Sequence, residues 1–121
     1  MLFRSNELYY ENLSTARRRI GQLRERTSDV RSARVAYEAS VRAGRRATDL
    51  ASDRGEPWRT LYQAEWALAM NAERTGNTEA AQRQLRDALK AAEQAARLLP
   101  EDRTVREDVA TLRTLVDERA R

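Results

Sequence analysis

The sequence predicts an all-α chain of about five helices arranged as antiparallel hairpins. Three observations point there. Apolar residues keep helical spacing almost from end to end. Helix formers dominate, while Gly (4) and Pro (2) are scarce, which argues against the many turns of a sheet protein. The second half also repeats the first at an offset of 48 residues, so that Ala33 falls on Ala81.

Four interruptions divide the helical pattern. Thr27-Ser28-Asp29 offers cap-forming side chains. In Asp53-Arg54-Gly55-Glu56-Pro57, Gly55 suits the position just past a helix and Pro57 the first position of the next. Thr75-Gly76-Asn77-Thr78 reads as a Gly stop followed by an N-cap. Leu99-Pro100-Glu101-Asp102 precedes Thr104-Val105-Arg106-Glu107, which fits a capping box. The predicted helices span about 5–27, 29–53, 57–75, 78–99 and 103–120. They form one domain over 1–121: a first helical pair (about 5–53), a second pair (57–99) and a terminal capping helix (103–120).

Composition excludes several kinds of chemistry. The chain has no Cys and no His. Thiol catalysis, zinc sites on sulfur or nitrogen ligands and the common neutral-pH base are therefore absent. Adjacent carboxylates, such as Glu101 with Asp102 and Asp117 with Glu118, point in different directions on a helix. No Gly-rich phosphate loop exists. The expectation is a protein that is not an enzyme and takes no cofactor or metal. No run of about 18 apolar residues spans a membrane, and the start carries no cleavage signal, so a cytoplasmic location is expected. The net charge is +4, and the basic excess lies in the first half, with Arg17, Arg18, Arg19, Arg24, Arg26, Arg31, Arg34, Arg42, Arg45 and Arg46.

The internal repeat carries the most information. Ala33, Tyr37, Ser40, Val41, Gly44, Ala47 and Leu50 fall on Ala81, Leu85, Ala88, Leu89, Ala92, Ala95 and Leu98. Leu13, Leu61 and Val109 align across the first, third and fifth helices, as do Ala16, Ala64 and Leu112, and Ile20, Leu68 and Val116. The turns align as well, Ser28-Asp29 with Gly76-Asn77. The order is helix A, helix B, A, B and a final A. A period in this range marks stacked helical pairs; a closed five-helix bundle is the alternative.

Leu13, Ile20-Gly21, Ser28-Asp29, Ala33, Tyr37 and Ser40, then Leu61, Leu68-Ala69, Gly76-Asn77, Ala81, Leu85 and Ala88, resemble the tetratricopeptide repeat over about residues 9–116. The segments around Asn12-Leu13-Ser14, Arg19-Ile20-Gly21-Gln22-Leu23 and Ala36-Tyr37-Glu38-Ala39-Ser40 look like its long form, found in tandem arrays of bacterial signalling proteins. The chain departs from the family in four ways. Its period exceeds the usual length of about 34, Ser28 replaces the first turn Gly, the Pro after helix B occurs only as Pro100, and the third unit stops after its A helix.

The resemblance implies a short right-handed solenoid whose A helices line a concave groove. Its register puts Arg18, Gln22, Glu25 and Arg26 there from the first unit, and Gln63, Trp66, Met70, Glu73 and Arg74 from the second. Thr111, Thr114 and Glu118 follow from the last helix. The Lys and Asn pattern that grips a terminal carboxylate in some family members is not met. Arg18 with Gln22 still suits an acidic group, and Trp66 with Met70 suits an apolar anchor or packing between A helices.

The expected function is a non-catalytic scaffold for a protein or peptide partner, acidic in character. Two other readings remain. One is a structural module forming a homo-oligomer, such as a homodimer, through the first or last helix; Leu112 and Leu115 lie on partly different faces, and Phe3, Leu8, Tyr9 and Tyr10 form either a hydrophobic cap or a self-association patch. The other is nucleic-acid binding by the first two helices, against which stands the poor interleaving of aromatics with Arg.

Overall fold

The computed structural model describes the backbone of residues 2–120 and the side chains of residues 5–120. Phe3, assigned to the N-terminal apolar cluster, lies outside the described side chains. Among the described residues the chain is all-helical: α1 (Leu2–Arg26), α2 (Val30–Leu50), α3 (Gly55–Arg74), α4 (Thr78–Leu98) and α5 (Arg103–Arg119), with no strand. Each helix packs on the next, and α1 also meets α3.

Two boundaries differ from expectation. α2 ends at Leu50, and Gly55 opens α3 beneath the side chain of Leu99 instead of closing α2. Pro57 then stands third in α3, still within the first turn, where N–H groups have no intrahelical acceptor and a missing donor costs little. The capping box at Thr104 does not form. Asp102 caps α5 instead, accepting from the Val105 N–H at 3.0 Å, while Glu107 pairs with Arg103.

The turns repeat in atomic detail. The Ser28 N–H donates to the Glu25 carbonyl and the Asp29 N–H to the Arg24 carbonyl; the Gly76 and Asn77 N–H groups donate to Glu73 and Ala72, each bond displaced by the same offset. This paired bonding is the Schellman closure. Asp29 and Asn77 then cap the following helices, accepting from Ser32 N–H and Ala80 N–H. The other type of turn repeats too, since the Ala51 N–H donates to the Ala47 carbonyl as Leu99 does to Ala95.

Ser28 and Gly76 share the left-handed conformation, with φ of 68° and 78°. Only Gly adopts it without a Cβ clash. Ser28→Gly should therefore raise stability by about 1 kcal/mol, and Gly76→Ala should lower it by a similar amount, both read from urea denaturation midpoints. A loss in the first variant would show that the Ser28 hydroxyl outweighs its backbone strain.

One core runs through the molecule. Tyr37, Tyr62, Leu85, Val105 and Leu112 are fully buried, and small residues (Ala33, Ala64, Ala69, Ala88, Ala92, Ala95) let the helices approach closely. Between α1 and α2, the Ser14 and Ser40 hydroxyls each donate to the other's backbone carbonyl at 2.8 and 2.6 Å.

The ends differ from expectation. On α5, Val109, Leu115 and Val116 pack against the same core as Leu112, and Ala110, Arg113, Thr114 and Asp117 face outward. Leu112 and Leu115 therefore both turn to the core, and the outward face of α5 is largely polar. At the other end, Leu8 and Tyr9 are exposed and plug nothing. Tyr9 meets Tyr10 edge-on at 5.1 Å, and Tyr10 lies beneath the Arg46 guanidinium.

Candidate functional site

The C-terminal turns of α1 and α3 are joined by Glu25. Its Oε1 accepts from the Tyr37 hydroxyl at 2.7 Å, and its Oε2 from Asn71 Nδ2 at 3.0 Å and Arg74 Nη1 at 2.8 Å. Burial, and then the bond to this carboxylate, push the Tyr37 hydroxyl well above the usual tyrosine range. One repeat later, Glu73 accepts from Arg119 of α5 at 2.6 Å. The two acidic residues stand at matching positions and tie each A helix to the next.

Above Glu25 opens a cavity of about 360 Å³. Arg18, Gln22 and Glu25 of α1 and Gln63, Trp66, Met70 and Arg74 of α3 line it. Arg26 lines an adjoining hollow of about 480 Å³, shared with Gln22, Glu25, Val30 and Arg74. Glu73 instead spends its carboxylate on Arg119. Trp66 and Met70 are half-buried; they pack on the core and also wall the cavity.

The sequence missed three lining residues: Ala67, between Trp66 and Met70 on α3, and two that come from other helices. Tyr37 comes from helix B, where spacing assigns it to the core. Its ring is in the core, but its hydroxyl extends to Glu25 and into the cavity wall. A buried tyrosine hydroxyl needs a polar partner, so the residue type itself was the available signal. Asp108 comes from α5, where the Tyr62 hydroxyl donates to it at 2.6 Å. No feature of the sequence announced that pairing.

Charge within the cavity is unevenly compensated. Glu25 is neutralised by Arg74. Arg18 is half-buried and has no carboxylate partner among the described residues. Burial first, and then the neighbouring Arg19 charge, hold its pKa below the ordinary arginine value. A half-buried cation in one cavity with a Trp and a Met, with two glutamine amides in the same wall, is suited to a carboxylate next to an apolar group. The other arginines of the basic half are partly committed: Arg34 faces Glu38, Arg45 lies 3.8 Å from Glu65, and Arg54 lies 2.9 Å from Glu7.

Away from the cavity, Glu65 is 3% exposed, and burial, then the Asp87 charge, raise its pKa to about 7. Glu11 is also raised to about 7, by burial and then by its hydrogen bond with Glu7. A carboxyl whose folded pKa exceeds its unfolded value keeps its proton longer in the folded chain. Its contribution is fully present below about pH 4.5 and is lost as pH rises through 7. The chain should thus be more stable at pH 5 than at pH 8. Glu65→Gln should recover on the order of 2 kcal/mol at pH 8 and flatten the profile, as checked by urea denaturation at both values.

No protein-family model, curated protein or solved structure matches the chain. Among the described residues, no helix is long and apolar enough to cross a membrane.

Proposed function

We propose that the chain is a non-catalytic interaction scaffold, a short right-handed solenoid of tetratricopeptide type, that grips an acidic peptide segment between α1 and α3. Arg18 receives the carboxylate, Gln22 and Gln63 offer amides to the peptide backbone, and Trp66 with Met70 receives a neighbouring apolar side chain. The observation that carries this reading is the half-buried Arg18, without a carboxylate partner among the described residues, in one cavity with Trp66 and Met70. The repeated turn bonding and the successive Glu25 and Glu73 links between A helices support the stacked architecture.

Trp66 itself reports on the cavity. The other tryptophan, Trp58, donates its indole N–H to the Ser52 carbonyl at 2.9 Å, and a Trp58→Phe background silences it. Short peptides bearing an apolar residue beside a glutamate should change Trp66 emission saturably, and the same peptides with glutamine should bind at least tenfold more weakly, as expected for a charge-assisted contact. Equal binding of the two sets, or no saturable change with either, would rule the reading out.

A further inference from the structure

The outward face of α1 carries an apolar stripe that does not belong to the cavity. Tyr9, Leu13, Ala16, Ile20 and Leu23 follow the four-three spacing of one helix face. Tyr9 is 60% exposed, Ile20 37% and Leu23 55%, and on α2 Val35 is 61% exposed. Large exposed apolar side chains concentrate on these first two helices; α5 shows none among the described residues.

The repeat register explains what such a face is for. The positions Ala16, Ile20 and Leu23 correspond to Ala64, Leu68 and Asn71 of α3, which are 0%, 7% and 0% exposed. They correspond also to Leu112, Val116 and Arg119 of α5, of which Leu112 is 0% exposed and the others are half-buried. In α3 and α5 the preceding B helix, α2 or α4, packs on the helix. On α1 the same positions are open. The face is built to be covered by a helix.

Charge decides which helix. Helical spacing sets Arg17 and Arg24 along one edge of the stripe and Arg19 and Arg26 along the other. All four are exposed, and none has a carboxylate partner among the described residues. Glu25, the one acid on α1 after Glu11, is turned inward to Tyr37, Asn71 and Arg74. A second copy is a poor occupant, because α1 against α1 would oppose four arginines with four arginines. The outer face of a second α5 offers no large apolar side chain to bury.

We propose that the outward face of α1 docks an amphipathic helix of a partner protein whose apolar stripe is edged on both sides by carboxylates. The helix lies where a preceding B helix would lie, burying Ile20, Leu23 and Ala16 while its acids meet the arginines on both edges. This surface is separate from the Arg18 cavity, so the chain holds two partner segments at once.

The test uses the full chain and a fluorescent, lactam-bridged helical peptide with leucines at i, i+3, i+4 and i+7 and glutamates along both edges. A second peptide carries lysine in place of every glutamate. The glutamate peptide should bind saturably by anisotropy, more weakly as salt rises. In an Arg18→Gln background, which removes the cavity's cation, Ile20→Ser with Leu23→Ser, and separately Arg19→Glu with Arg26→Glu, should each still weaken it at least tenfold, whereas Arg97→Gln on α4 leaves it unchanged. The stripe and edge residues are exposed, and circular dichroism verifies that both variants keep their helicity. Equal binding of the lysine peptide, no binding of the glutamate peptide, or a concentration-dependent dimer that Leu23→Ser dissolves would each overturn the assignment.

Discussion

Tyr37→Ala should lower the free energy of unfolding by about 3–5 kcal/mol, the range for removing a large buried ring. Tyr37 is 1% exposed, and its ring lies so close to α1 that a Cβ built on Gly21 would stand 2.5 Å from Tyr37 Cε1. The pairing of a glycine with an aromatic ring is what brings α1 and α2 together at that level. Removing the ring leaves a void facing a helix that has no side chain there to fill it. Tyr37→Phe should cost less, about 1–2 kcal/mol, because it deletes only the hydroxyl bond to Glu25. Urea denaturation of both variants separates ring from hydroxyl. Equal losses would mean that the bond to Glu25, and not packing, dominates at this position.

Arg18→Glu should nearly abolish capture of acidic peptides, weakening it on the order of 100-fold or more, since it replaces the cation and adds a like charge in a partly desolvated wall. Helicity should be unchanged, because among the described residues Arg18 makes no ion pair that the fold would lose. Trp66→Ala should weaken capture through loss of apolar area while leaving the preference for acid over amide intact. Measured by the Trp66 titration for the charge variant and by calorimetry for Trp66→Ala, this pair separates charge from contact. Capture that survives both changes would remove the cavity from consideration.

Much of the architecture was legible because the repeat and the helix stops are local. The Ser28-Asp29 and Gly76-Asn77 alignment became two turns with matching hydrogen bonds. The face spacing 81, 85, 88, 92, 95, 99 became a buried line through Ala81, Leu85, Ala88, Ala92 and Ala95, while its last member, Leu99, caps the end of α4 and is half-buried. Failures occurred where a neighbouring element decides. Asp102 takes the cap from Thr104 because α5 starts at Arg103, while its other oxygen meets Arg59 of α3. Ile20 aligns with two core residues yet is exposed, because alignment reports what a helix can bury and not whether a neighbour is there to bury it. The candidate site followed the same division. Except for Ala67, the lining residues on α1 and α3 were accessible from helical register, whereas Tyr37 and Asp108 enter from α2 and α5 through hydrogen bonds formed only after folding.

The links made by Glu25 and Glu73 also have a mechanical meaning. They fasten one end of α1 to α3 and of α3 to α5 through carboxylates, in addition to the packing of the core. Such fasteners weaken as dissolved ions screen them. The helix ends beside the cavity should therefore part more readily as salt rises, while the apolar core between them is left unaffected.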